Sequence, residues 1–214
     1  MKGLIRNDLY AMENNILISF LTAMLLGVLP VLIRGNSSLI QMILSMQVYI
    51  FIVNMGSSLH TDEVSGWDRF EITLPVQRRQ IVQAKYLLFL LLFVLGAGVG
   101  TLTLGAVSLT GGAPAFRDVL HGYAFGLTLS ALSSAILYPL VLKFGTDKSD
   151  LFLILSGLVS CGMLILISSG VSLLTGEMNM KAPLVDLVSV STAMVLFAAS
   201  YFASVRILQN KEFA

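Results

Sequence analysis

The sequence predicts an all-α polytopic membrane protein with six transmembrane helices and both termini on the cytoplasmic side. Three observations predict it. First, the 214 residues are 56% hydrophobic and only 12% charged, where a soluble domain carries about 25% charged residues. Mean hydropathy is +0.87. Second, six apolar stretches, at about 16–33, 39–59, 81–109, 119–142, 151–174 and 184–205, meet or approach the roughly 20 residues that span a bilayer as a helix. Third, if the N-terminus is inside, ten Lys and Arg fall on the cytoplasmic side and three (Arg34, Arg117 and Lys181) on the other, a clear positive-inside bias. Open strands cannot cross lipid with unpaired backbone groups, and no alternating ten-residue pattern suggests a barrel.

The chain reads as one transmembrane domain, 1–214, with residues 1–15 as an interfacial helix and 60–80 as a cytoplasmic loop. In 1–15, Leu4, Ile5, Leu9 and Met12 cluster on one helical face, with Lys2, Arg6 and Glu13 mostly opposite. That suits a short helix in the headgroup plane. Asp8 breaks the pattern by falling near the apolar side. The first apolar run has no small-residue cleavage site after it and is read as a retained helix, not a signal peptide.

The second span carries Gln47, Asn54 and Ser58, whose spacings of seven and four place them on one face. Polar groups in lipid are costly and turn toward other helices or a cavity. The stripe is expected to face a pore or a dimer seam, or to hydrogen-bond a neighbouring span. The loop that follows, "HTDEVSGWDRFEITLPVQRR", holds the densest charge in the chain, with both signs balanced. A balanced loop suits a protein partner better than anionic lipid. Val64, Trp67, Phe70 and Leu74 lie close to one helical stripe, Thr61 or Ser65 can cap its start, and Pro75 ends it.

The third span carries no formal charge from Tyr86 to Phe116, so it is expected to be long, tilted or broken near its glycines. Gly96 and Gly100 form a GxxxG, which allows a close approach, either within the chain or at a dimer seam. Pro139 is expected to bend the fourth span. Arg34, Arg117, Asp118 and Asp186 are expected to anchor span ends at the outer interface.

Composition also excludes function classes. A net charge of +1 suggests neither nucleic-acid binding nor a polybasic anchor. The single Cys161 allows no disulfide within the chain and no CxxC site. His60 and His121 fall on opposite membrane faces with no second ligand at metal spacing, so no metal site is expected. No nucleophile–base constellation is visible, and no G-x-x-x-x-G-K-[ST] occurs. The chain is therefore expected not to be an enzyme and to bind no cofactor itself; any ATP belongs to a separate protein.

"FEITLPVQRRQIVQAKYLL" resembles the first cytoplasmic loop of ABC-2 type exporter permeases. That family's pattern is an acid, then L-P-V, a polar residue, Arg, a variable pair, I-V and A-K-Y. "YPLVLKFGTDKSD", residues 138–150, is similar to the family segment that closes the fourth span, and "SVRILQNKEFA" to its short basic C-terminus. The likeness covers nearly the whole chain, and the small six-span branch that includes phenol-soluble modulin exporters is the most similar in style. Asp147, Lys148, Ser149 and Asp150 depart from it, because the family has an Arg near the end of that turn.

The resemblance implies the membrane subunit of an ABC exporter, moving a peptide or other amphipathic substrate out across the cytoplasmic membrane of a bacterial cell. It implies a second permease copy, as homodimer or heterodimer, and an ABC ATPase subunit that binds ATP and Mg. It places Trp67, Phe70, Glu71, Leu74 and Pro75, flanked by Arg78 and Arg79, as the coupling helix that docks on that ATPase. The alternative is a substrate-capture subunit of an energy-coupling-factor importer. Such a subunit needs a well-furnished outer pocket, whereas the outer loops here are short and sparse.

Overall fold

The structure, a computed structural model, describes residues 2–33, 36–67, 70, 77–110, 114–145, 149–175 and 182–210; the side chains of Lys2, Glu63 and Thr175 also fall outside the description. Among these residues there are seven helices and no strand. They are α1 (Lys2–Ala11), α2 (Glu13–Leu32), α3 (Ser37–Val64), α4 (Arg78–Leu109), α5 (Phe116–Phe144), α6 (Ser149–Thr175) and α7 (Pro183–Asn210). Six of them, α2 to α7, are long and apolar enough to cross a membrane. α4 runs unbroken through all its glycines for 32 residues, about 48 Å at the helical rise. The third span is thus long and continuous.

α3 is the axis of the bundle. It packs against α1, α2, α4, α5 and α6, and Phe51, Leu44, Val48 and Met55 on it are fully buried. Notches let its neighbours come close. A Cβ on Gly96 of α4 would stand 2.8 Å from the Val48 Cα, and one on Gly126 of α5 would stand 3.0 Å from the Ser45 Cα. The GxxxG of α4 is therefore used within the chain, against α3 and α5. A second notch of the same spacing, Gly122 and Gly126, seats α5 on Gln41 and Ser45 of α3. Without a hydrophobic drive between helices in lipid, such backbone proximity supplies the dispersion contacts that hold spans together.

Polarity is inverted relative to a soluble protein. Ser19, Gln47, Asn54, Thr103, Thr128, Ser133, Ser160 and Ser204 are buried between helices, while Leu25 of α2 and Leu166 of α6 are each 71% exposed. α2, α6 and α7 form the apolar periphery, as expected of surfaces solvated by acyl chains.

Pro139 lies inside α5. A proline has no N–H for the carbonyl four residues earlier, here that of Ala135. The Ser200 hydroxyl of α7 donates to that carbonyl at 2.7 Å, and the Tyr86 hydroxyl of α4 lies 2.7 Å from the Ser200 oxygen. With the Ser200 proton committed to Ala135, Tyr86 is the donor to Ser200. One polar chain thus joins α4, α7 and the proline site of α5. Ser200→Ala leaves the Ala135 carbonyl without its donor, while the Tyr86 hydroxyl keeps Ser204 at 3.2 Å. It is expected to cost about 1–3 kcal/mol, read as a lower midpoint of thermal unfolding in detergent.

Candidate functional site

The first ten residues of α4 bind four other helices, α1, α3, α5 and α7. At its start the Arg78 guanidinium donates from Nη1 to the backbone carbonyls of Leu208 (2.8 Å) and Gln209 (3.0 Å). Those are among the last carbonyls of α7, which have no helical partner and sit at the negative end of the helix dipole. Arg79 Nε donates to the Tyr201 hydroxyl at 3.1 Å. About two turns further, Tyr86 stacks edge-on against Tyr138 and Tyr201, with ring centroids 5.5 and 5.4 Å apart. The start of α4, the end of α7 and α1 therefore share one end of the bundle. That end holds both termini and corresponds to the face the charge bias marks as cytoplasmic.

Lys85 lies at the centre of this end. Its Nζ contacts Asp8 Oδ1 of α1 at 2.7 Å and the Asp62 carboxylate of α3. All three are buried, at 4%, 2% and 5% exposure for Lys85, Asp8 and Asp62. The second Asp8 oxygen is buried with no hydrogen-bond partner among the described residues. Burial pushes the Asp8 carboxyl above the ordinary carboxylate range, against the opposing pull of the Lys85 ammonium. Asp8 is thus no flaw in an amphipathic helix. Leu4, Asp8 and Met12 form its buried row, and the acid is the group that pins α1 to the spans. By sequence Lys85 and Asp62 read as solvated loop charges; the structure places both inside. The signal that could have found the site was the acid among apolar residues, since an acid there needs a base.

The stretch expected to couple to an ATPase does not show a single stripe among its described residues. α3 continues to Val64, and the Thr61 and Ser65 hydroxyls donate back to the carbonyls of Ser57 (2.9 Å) and Thr61 (2.7 Å) instead of capping a new helix. Gly66 then takes φ +70°, a left-handed conformation that suits glycine and breaks the helix. Phe70 N–H donates to the Gly66 carbonyl at 3.1 Å, so a new helical turn begins at Gly66. Trp67 is half-buried and packs on the core, with its ring centroid 5.5 Å from that of Phe70. Phe70 is 53% exposed and Val64 75% exposed. Glu71, Leu74 and Pro75 lie outside the described residues. Of the seven positions expected to couple to an ATPase, Trp67 and Phe70 sit together on this turn, while Arg78 and Arg79 engage α7.

Gln47, Asn54 and Ser58 all lie inside the bundle, at 0%, 4% and 0% exposure. Gln47 Nε2 donates to the Ala23 carbonyl of α2 (2.9 Å) and to Thr103 Oγ1 of α4 (2.7 Å). Asn54 Nδ2 donates to Ser19 Oγ of α2 at 2.9 Å. Ser58 Oγ has no partner among the described residues. Two members of the stripe therefore tie α3 to neighbouring spans.

At the opposite end, the acids expected to anchor span ends also join helices. Asp118 of α5 accepts from Gln41 of α3, and Asp186 Oδ1 of α7 lies 2.6 Å from His121 Nδ1 of α5.

A family model described as "ABC-2 family transporter protein" matches residues 3–209. No curated protein and no solved structure matches the chain.

Proposed function

Since the chain belongs to the ABC-2 family of transporter membrane proteins, and is thereby a transmembrane subunit of an ABC transporter, we propose that it exports an amphipathic substrate, of peptide or similar chemistry. In this reading the substrate crosses the inner membrane of a bacterial cell. The family implies an ABC ATPase subunit as partner; a second permease copy completes the pathway. The importer capture subunit finds no support in the family match.

The observation that carries the coupling part of this reading is the turn beginning at Gly66. It continues from α3, the helix on which five others pack, and it offers Phe70 outward while Trp67 sits on the core. A push on Phe70 is therefore delivered to the axis of the bundle. The buried Lys85 site and the Arg78 contacts keep α1, α4 and α7 in register with that axis.

The direction of transport is tested with everted membrane vesicles that carry the chain and its ATPase subunit. ATP is expected to drive uptake of a fluorescent amphipathic peptide, and a non-hydrolysable analogue is not. ATP-driven uptake confined to right-side-out vesicles would reverse the direction, and ATP consumption that no amphipathic peptide stimulates would remove the substrate class.

A further inference from the structure

At the end of the bundle away from the termini, α5, α6 and α7 enclose a cavity of about 330 Å³. It lies at the lower end of the about 300–1,000 Å³ usual for small-molecule sites. His121 and Thr128 on α5 mark its length, seven residues or about 10 Å along the helix. Leu164 and Val185 are buried in its wall, while Phe125 is 40% and Ile165 60% exposed, so it opens sideways. Its Thr128 and Ser189 hydroxyls donate to the Ala124 and Val185 carbonyls of their own helices. That leaves the wall largely apolar.

Besides Ser168, the polar part of the wall is the His121–Asp186 pair, whose side chains are each 15% exposed. Among the described residues, only His121 engages the Asp186 carboxylate, and it does so through one oxygen. Asp186 stands in the first turn of α7, where the helix dipole favours an anion. With the carboxylate ionised, the pair is anionic or neutral, never positive. An anionic head is repelled there; an ammonium head finds a second carboxylate oxygen on a side chain only 15% exposed, and a charge-assisted hydrogen bond to it is strong.

We propose that this cavity binds an amphipathic cation: a hydrophobic amine whose ammonium pairs with Asp186 and whose apolar body fills the space among Phe125, Leu164 and Ile165. The site stands apart from the coupling end, and its test needs no ATP.

The chain carries its own reporter. Cys161, the single cysteine, is exposed and lines the cavity. The full chain in phospholipid nanodiscs is alkylated with N-ethylmaleimide, alone and with decylamine, decanol or decanoate. Decylamine is expected to slow alkylation of Cys161 about tenfold more than decanol does, the ratio set by about 1.4 kcal/mol of head-group pairing. Decanoate should protect least. Asp186→Asn should lose the decylamine advantage, whereas His121→Gln, which keeps the carboxylate, should retain it. Equal protection by decylamine and decanol, or an advantage that survives Asp186→Asn, would overturn the proposal. If the Asp186 variant does not fold, the comparison of the three head groups on the unaltered chain decides alone.

Discussion

Lys85→Met is expected to destabilise the chain by about 3–5 kcal/mol, the cost of leaving buried charge without its partner. The substitution removes the ammonium that stands between Asp8 and Asp62 and leaves two buried carboxyl groups facing one site. At least one must then take a proton, or water must enter. The measurement is thermal unfolding of the detergent-solubilised chain, combined with limited trypsin digestion at Arg6. Digestion should accelerate, because α1 loses the ion pair that holds it. Asp8→Asn should cost much less, since Lys85 keeps Asp62. The combined Asp8→Leu, Asp62→Leu and Lys85→Met variant should recover most of the loss, because exchanging a whole buried ionic cluster for apolar groups is often neutral or better. A single Lys85→Met variant as stable as the parent chain would show that the three groups carry no structural weight.

Phe70→Asp is expected to separate the chain from its ATPase subunit with little effect on the permease itself. Aromatic anchors at interfaces cost about 2 kcal/mol or more when removed. A charge in place of the ring adds desolvation, so co-purification should fall at least about thirtyfold. Because Phe70 is 53% exposed, the unfolding midpoint should move by no more than about 0.5 kcal/mol equivalent. Trp67→Ala behaves differently. The indole is half-buried on the core, so stability and docking should decline together. A Phe70→Asp chain that still brings down its ATPase at full yield would remove this turn from the interface.

Much of the architecture was legible because lipid imposes simple demands. A helix must be long and apolar to cross, so six spans could be counted from hydropathy; the uncharged run pointed to a long third span, but not to whether its glycines would break it. The inward stripe of Gln47 and Asn54 was legible from spacing alone, though which helices it would meet was not. Ala23 and Thr103 lie 24 and 56 residues away and carry no local signal of pairing. The Gly122–Gly126 notch shows the same limit. The spacing is in the sequence, but which face of α5 meets α3 is set by the whole bundle.

Around residues 60–80, the aromatic pair of Trp67 and Phe70 was legible and the helix boundaries were not. Apolar periodicity ran smoothly from Val64 through Trp67 to Phe70, and Gly66 interrupts it without changing the pattern. The ionic site was the hardest part to see. Asp62 and Lys85 look like ordinary surface charges in isolation, and Asp8 stands out only as an acid among apolar residues. Their pairing spans 77 residues between Asp8 and Lys85 and 23 between Asp62 and Lys85. Arg78 illustrates the point in another way. Its position before an apolar run suggests a flanking surface cation, yet its guanidinium closes the end of a helix 130 residues later.

The proline site of α5 bears on how the assembly moves. A proline-bearing span usually offers a compliant elbow, because the carbonyl four residues earlier lacks its helical N–H partner. Here a hydroxyl of α7 occupies it, so swinging the lower limb of α5 alone would rupture a contact in a dry interior. The fourth and sixth crossings should therefore tilt as a single oar, and whatever stroke the engine beneath delivers will be felt by both at once.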